Sequence, residues 1–161
     1  MNKLKVSSSF ENVYTFKNYD CRIDLYLYPV ETASITNFDC WKVGTGKGKI
    51  LLREALDYLK KEGKLPPSLS LSASVNRLAS KRQNMTETEK EQNQGKLVQY
   101  YERLGFTKVD DPSNKPFLQK MVANTDDVLQ RLSRFGGKKK SRKNKTRKNK
   151  TRKNKTRKNK K

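Results

Sequence analysis

The spacing of apolar residues predicts β-strands in the amino-terminal part of the chain. Residues 21–30 alternate, with Ile23, Leu25 and Leu27 on one face, and residues 13–16 and 33–41 form two further β-prone runs. Proline cannot donate a ladder hydrogen bond, so Pro29 should end or bend the middle strand. We therefore predict three antiparallel strands joined by turns.

A helical pattern begins near residue 50. Apolar residues recur there every three or four positions, as one face of a helix requires; they are Leu52, Ala55, Leu56 and Leu59. Gly63 stands where a left-handed cap would end the helix, and the prolines at 66 and 67 prevent its continuation. The pattern predicts one amphipathic helix that buries its leucine face.

Strict alternation returns in residues 69–75, where Leu, Leu, Ala and Val face one side and three serines the other. A succession of strand, helix and strand indicates a parallel pair with a crossover. Residues 76–92 are polar and form either an insertion or a loosely held helix start, where Thr86 and Glu89 would suit a capping box.

A second amphipathic helix is predicted in residues 93–106. Its apolar stripe consists of Leu97, Val98, Tyr101 and Leu104. Gly105 is a typical carboxyl-terminal cap, and the apolar Phe106 follows it. Residues 107–111 and 116–123 are predicted as two final strands, and residues 126–132 as a short last helix.

Three alternating glycines lie directly before the first helix. Gly44, Gly46 and Gly48 leave backbone N–H groups accessible at a helix amino terminus, which favours phosphate binding, and Lys47 and Lys49 add positive charge. The spacing fits neither the P-loop nor the dinucleotide fingerprint. A glycine-rich turn without a ligand is the alternative interpretation of this stretch alone.

Together, the loop and the second helix resemble the GCN5-related N-acetyltransferase (GNAT) superfamily. That family has a loop written Arg/Gln-x-x-Gly-x-Gly/Ala, which corresponds here to residues 43–48. Its later helix carries Asn, a Tyr seven residues on and a closing Leu-Gly-Phe, which correspond to Gln94, Tyr101 and residues 104–106. Val43 and Gln94 depart from the family pattern. The resemblance covers roughly residues 33–122.

The resemblance implies an α/β fold with a mixed, mostly antiparallel sheet flanked by helices, and acetyl-CoA as the acetyl donor. It assigns cofactor binding to Val43, Gly44, Thr45, Gly46, Lys47, Gly48, Lys49 and Gln94. It makes Tyr101 the general acid that protonates the departing thiolate. Without the family pattern, Tyr101 is a core tyrosine of the apolar stripe. Glu31 and Asp39 are candidate bases, and no motif selects either.

About 42 residues precede the loop, and none of them predicts the two helices that shape the family's acceptor site. The amino terminus therefore looks abbreviated. Two functions fit these residues. One is an N-acetyltransferase acting on a primary amine. The other is a catalytically degenerate GNAT-fold protein that associates with nucleic acid through its basic charge.

The charge of the chain is concentrated at its carboxyl end. Residues 138–161 hold 16 of the 38 Lys and Arg residues and no acid, and from Lys143 they repeat Lys-Asn-Lys-Thr-Arg. Without apolar residues such a segment cannot form a core. We predict a GNAT-like domain in residues 1–135 and a disordered basic tail in residues 136–161. The tail suits non-specific binding to RNA, DNA or an anionic surface; the alternative is a tail that only increases solubility. It resembles the basic tails of giant-DNA-virus proteins.

Some chemistry is excluded by composition. The chain has no histidine, so Ser-His and Cys-His catalysis and histidine metal sites are absent, and no metal site is predicted. Cys21 and Cys40 are too few for a disulfide framework. No apolar run is long enough for a transmembrane span or a signal peptide. We expect a soluble protein in a reducing intracellular compartment; the tail is compatible with a nucleus, a viral factory or a virion.

Overall fold

The computed structural model describes residues 4–10, 12–28, 31–40, 44–74 and 85–135. The predicted tail and Val43 lie outside the described residues. No helix of the described ranges is long and apolar enough to cross a membrane.

The described residues form seven strands and three helices. In chain order they are β1 Lys5–Phe10, β2 Val13–Lys17, β3 Cys21–Leu27, β4 Thr32–Cys40, α1 Lys47–Lys61, β5 Ser68–Ser74, α2 Glu87–Arg103, β6 Thr107–Lys108, β7 Leu118–Asn124 and α3 Thr125–Phe135.

All seven strands belong to one sheet, in the order β1-β2-β3-β4-β5-β7-β6. The β4–β5 pair is parallel and is connected through α1, whereas the other neighbouring pairs are antiparallel. The predicted mixed, mostly antiparallel sheet is confirmed.

The amino-terminal part contains one strand more than the sequence predicted. In β1 only Val6 and Phe10 are apolar, so the pattern is too weak to predict a strand, and the segment is held by its pairing with β2 at the edge of the sheet. Only residues 11 and 12 separate β1 from β2. Two helices cannot fit between these two strands.

The core forms where the helices cover the sheet. Helix α1 packs against β2, β3 and β4, α2 against β5, and α3 against α1 and β7. The leucine face predicted for α1 is fully buried, and so are the largest core side chains. These are Phe16, Ile23, Leu25, Leu51, Leu52, Leu56, Leu59, Leu69, Leu104, Phe106 and Met121.

The predicted capping box of α2 is present. The Thr86 hydroxyl accepts a hydrogen bond from the Glu89 backbone N–H at 3.3 Å, and the Glu89 carboxylate accepts one from the Thr86 N–H at 2.9 Å. This cap begins the helix at Glu87, ahead of the apolar stripe that marked residue 93 as the predicted start. Capping, and not burial, therefore fixes the amino end of α2.

The two cysteines, too few for a disulfide framework, form a single disulfide in the structure. They face each other directly across the antiparallel β3–β4 pair, with Cα atoms 4.1 Å apart. No local sequence pattern indicates this bond, because the residues lie 19 positions apart and their pairing depends on strand register. The bond ties the end of β4 to the start of β3.

We expect reduction of this disulfide to lower the free energy of unfolding by about 3 kcal/mol, because the bond closes a loop in the unfolded chain. Urea unfolding with and without dithiothreitol measures the difference. A Cys21→Ala/Cys40→Ala double variant is the control and should not respond to the reductant. Equal urea midpoints for the oxidised and reduced wild type would contradict the pairing.

Candidate functional site

The sheet opens between β4 and β5. These two strands pair only from Thr32–Ser68 to Ile35–Leu71. Beyond that point, residues 36–40 of β4 run alongside β3 and no longer pair with β5. Residues 72–74 of β5 likewise pair only with β7. The carboxyl ends of the two parallel strands therefore diverge, which leaves an opening with backbone edges on both sides.

The glycine loop lies at the mouth of this opening. Gly44 and Gly46 have φ values of 82° and 74°, in the left-handed region that favours glycine. Gly48 is buried against the end of β4, where an added Cβ would lie 3.0 Å from Cys40 Sγ and 3.1 Å from Phe38 Cζ. Glycine at this position thus lets the amino terminus of α1 pack directly on β4.

The amino terminus of α1 is suited to an anion. Its N-cap residue is Gly46, no side chain caps it, and its first turn has no acidic residue. The first N–H groups of a helix have no intrahelical acceptor, and the helix dipole adds positive potential there. In α2, the Thr86 cap accepts a hydrogen bond from a first-turn N–H, and Glu87 and Glu89 place negative charge at the positive end of the dipole. Of these two helices, α1 is therefore the one whose amino-terminal N–H groups and positive potential are available to a ligand.

The side chains of the two loop lysines are directed to neighbouring elements. Lys47 forms an ion pair with Asp20, which follows β2. Lys49 lies over the ring of Phe135, with Nζ 3.6 Å from the ring centroid, and 5.7 Å from that of Tyr100. Burial, together with the nearby Arg103, lowers the pKa of Lys49. The two residues thus bring charge close to the loop, while their backbone N–H groups lie in the first turn.

Gln94 joins the second helix to the opening. Its Nε2 donates a hydrogen bond of 3.0 Å to the carbonyl oxygen of Ala73, near the end of β5. The amide of Gln94 thus holds α2 against the strand that forms the far side of the opening.

Tyr101 lies in an aromatic cluster beside the same opening. Its side chain is 7% exposed, and its ring centroid is 6.4 Å from that of Phe38, 5.8 Å from Phe106 and 5.3 Å from Tyr100. Burial, with a smaller effect of Tyr100, raises the pKa of Tyr101 above its usual range. Within the described part of the chain the hydroxyl makes no hydrogen bond. Tyr101 therefore stays protonated, with its O–H available as a donor.

Phe38 connects the loop with Tyr101. It contacts the position of Gly48 on one side and the Tyr101 ring on the other. Nothing in the sequence indicated this role, because an aromatic residue within the β-prone run 33–41 shows no sign of what it will face. The loop, Phe38 and Tyr101 form one continuous site.

The two candidate bases are placed differently. Glu31 is exposed and precedes β4 at the end where β4 and β5 are paired, since its carbonyl accepts a hydrogen bond from Ser68 Oγ at 2.9 Å. It lies away from the opening. Asp39 is at the open end, but alternation places it on the face of β4 opposite Phe38 and Cys40. Neither carboxylate is brought to Tyr101.

No protein-family model matches the chain, and no curated protein matches it. Several solved structures have a similar fold. The PaiA N-acetyltransferase of Thermoplasma acidophilum in complex with coenzyme A has a TM-score of 0.49 and 15% identity, over 70% of this chain and 61% of that one. The present chain thus spans less than two thirds of that enzyme.

Two further solved structures are similar. A GNAT family acetyltransferase from Elizabethkingia anophelis with acetyl-CoA bound has a TM-score of 0.43 and 16% identity, over 70% of this chain and 74% of that one. Nourseothricin acetyltransferase has a TM-score of 0.47 and 15% identity, over 76% of this chain and 84% of that one.

Proposed function

We propose that this protein is an N-acetyltransferase that moves an acetyl group from acetyl-CoA directly to a primary amine. One observation carries the proposal. The uncapped, acid-free amino terminus of α1 lies at the mouth of the opening between β4 and β5, and Phe38 connects it to the buried phenol of Tyr101.

The donor's pyrophosphate fits the start of α1. The backbone N–H groups of the loop and first turn are the proposed donors; they belong to Thr45, Gly46, Lys47, Gly48 and Lys49. The amide-containing arm of CoA fits the opening, because residues 36–40 and 72–74 present strand edges that are not paired with each other. An extended ligand with amide groups can add to such edges as a strand would.

The chemistry requires few protein groups. The amine nitrogen bonds to the thioester carbonyl carbon, the C–S bond breaks, the nitrogen loses a proton, and the thiolate gains one. We assign the last proton to the Tyr101 hydroxyl, which its raised pKa keeps protonated. Because neither Glu31 nor Asp39 faces Tyr101, we assign the amine's proton to water. Positioning supplies most of the rate.

The cofactor site can be tested with two matched glycines of the same helix. Gly46 and Gly63 lie at opposite ends of α1, both have a φ near 70°, and a Cβ added at either position would have no atom within 4 Å. Asp tolerates such a backbone better than most residues. Both substitutions therefore impose similar strain, but only Gly46→Asp places a carboxylate at the proposed pyrophosphate site.

We expect Gly46→Asp to weaken acetyl-CoA binding about tenfold or more by calorimetry, because like charges repel and the N–H groups gain an internal acceptor. Gly63→Asp should bind as the wild type does. All three full-length proteins carry the same basic tail, so its binding of anions cancels in the comparison. Equal affinities for the two variants would refute the site.

The acceptor is proposed only as a primary amine. The basic repeat from Lys143 onward is a second proposed binding element, for polyanions, because its charge density suits phosphates without any selectivity for sequence. A catalytically degenerate protein that uses the tail alone would bind nucleic acid but would not transfer acetyl groups.

A further inference from the structure

A basic groove lies between α2 and α3, outside the site described above. It has a volume of about 390 Å³. Its lining residues are Arg103, Asp127, Gln130, Arg131, Arg134 and Phe135. Three arginines against one carboxylate give it a positive charge, and Asp127 belongs to the first turn of α3. Among the described residues, none of the three arginines forms an ion pair with a carboxylate.

One of these arginines is held in place by the end of α2. Arg131 Nη1 donates to the carbonyl oxygen of Glu102 at 3.3 Å, and its Nε would lie 3.2 Å from a Cβ at Gly105. Arg103 and Arg134 have no such anchor within the described ranges and are exposed. The groove thus has a fixed wall and two arginine side chains that remain free to bind a ligand.

The groove adjoins the glycine loop through Lys49. This lysine belongs to the first turn of α1, and its Nζ lies 3.6 Å from the centroid of the Phe135 ring, at the groove's edge. Phe135 is 54% exposed, so its ring presents an aromatic surface at the end of α3. An aromatic surface and unpaired arginines therefore lie next to the proposed pyrophosphate site.

We infer that this groove holds the adenosine 3′-phosphate end of CoA, with the 3′-phosphate on Arg103 and Arg134 and the adenine against Phe135. The inference rests on the proposed function. If the pyrophosphate binds at the start of α1 and the thioester arm extends towards Tyr101, the adenosine must extend from the pyrophosphate in a different direction. The groove is next to this position, because Lys49 of the first turn contacts Phe135 at its edge. The planar guanidinium matches phosphate oxygens in pairs, and aromatic rings stack on bases.

The electrostatics agree with this geometry. Lys49 and Arg103 repel each other, and the pKa of Lys49 is lowered by burial and by this repulsion. A phosphate bound between them would relieve the excess of positive charge. The arginine groove is therefore expected to distinguish CoA from its analogue without the 3′-phosphate.

Calorimetry on the full-length chain, with CoA and 3′-dephospho-CoA as ligands, tests the inference. The wild type should bind CoA about tenfold more tightly than 3′-dephospho-CoA, since charge-assisted bonds to phosphate contribute about 1.5 kcal/mol. In an Arg103→Ala/Arg134→Ala variant this ratio should fall towards one, while the affinity for 3′-dephospho-CoA stays near the wild-type value. Lys61→Ala, at the other end of α1, is the control and should keep the ratio.

The outcomes separate this inference from the function on which it rests. A ratio that is unchanged in the arginine variant would overturn it, because the discrimination would then come from elsewhere, the basic tail included. An equal loss for both ligands would also overturn it, since the arginines would then act only through general charge. Failure of the wild type to bind either ligand would refute the proposed function itself, and this inference with it.

Discussion

Replacement of Tyr101 by phenylalanine should lower kcat about 100-fold or more, because a positioned general acid contributes at least that much. The KM for acetyl-CoA should change by less than about threefold, since the lost hydroxyl acts on the leaving thiolate and not in ground-state binding. The ring contacts with Phe38 and Phe106 remain, so the fold is preserved. Steady-state kinetics with a primary amine acceptor measure both parameters.

Tyr100→Phe is the matched control for this variant. Tyr100 is the preceding residue on the same helix, and burial raises its pKa to about 12. Its hydroxyl has no proposed role in the transfer, and its ring and its contact with Lys49 remain in the variant, so kcat should stay within about threefold of the wild type. If the Tyr101→Phe variant retained most of the wild-type activity, Tyr101 would be a structural core residue and not the general acid.

The pH dependence of kcat gives an independent readout on Tyr101. Because its folded-state pKa lies above the ordinary value of 10, the protonated acid is fully present at lower pH and is lost only as pH rises through the raised pKa. Activity below about pH 9 should therefore rise or stay level as the acceptor amine loses its proton. A decline of kcat between about pH 7 and 9 would argue against Tyr101 as the acid.

Leu52→Ala should lower the free energy of unfolding by about 2 to 5 kcal/mol, as truncation of a fully buried leucine does. Leu52 has no exposed surface and lies one turn after Gly48, where it anchors α1 to the sheet. A loss of this size is a large share of the stability of an ordinary domain. Urea unfolding followed by circular dichroism gives the value.

Ile50→Ala is the control on the same helix. Ile50 is 56% exposed, so its truncation should change stability by no more than about 0.5 kcal/mol. Similar costs at positions 50 and 52 would mean that α1 does not bury the face described here.

Local sequence information was enough to predict the two helices that bear the glycine loop and Tyr101. The apolar residues from Leu52 to Leu59 have a clear helical period, and Gly46 and Gly63 mark the two ends of α1. The stripe around Tyr101 and the Thr86 capping box likewise depend only on neighbours in the chain. These elements are found where they were expected because their signals do not need tertiary packing.

The features that were missed depend on register or on packing between distant segments. Cys21 faces Cys40 only because a β-bulge near Leu25 shifts the β3–β4 register by one residue. The basic groove combines Arg103 with residues of α3, and their approach is set by the packing of two helices. Strand β1 has too few apolar residues for its pattern to indicate burial, and it forms because β2 offers a free edge.

The short pairing between β4 and β5 also has a thermodynamic consequence. Four residue pairs, from Thr32–Ser68 to Ile35–Leu71, join the amino-terminal meander of four strands to the remaining three. A ligand that reaches both sides of this boundary must be released before the two parts can separate. Its binding free energy therefore adds directly to the cost of that separation, so the concentration of the ligand sets how firmly the two halves of the sheet are held together.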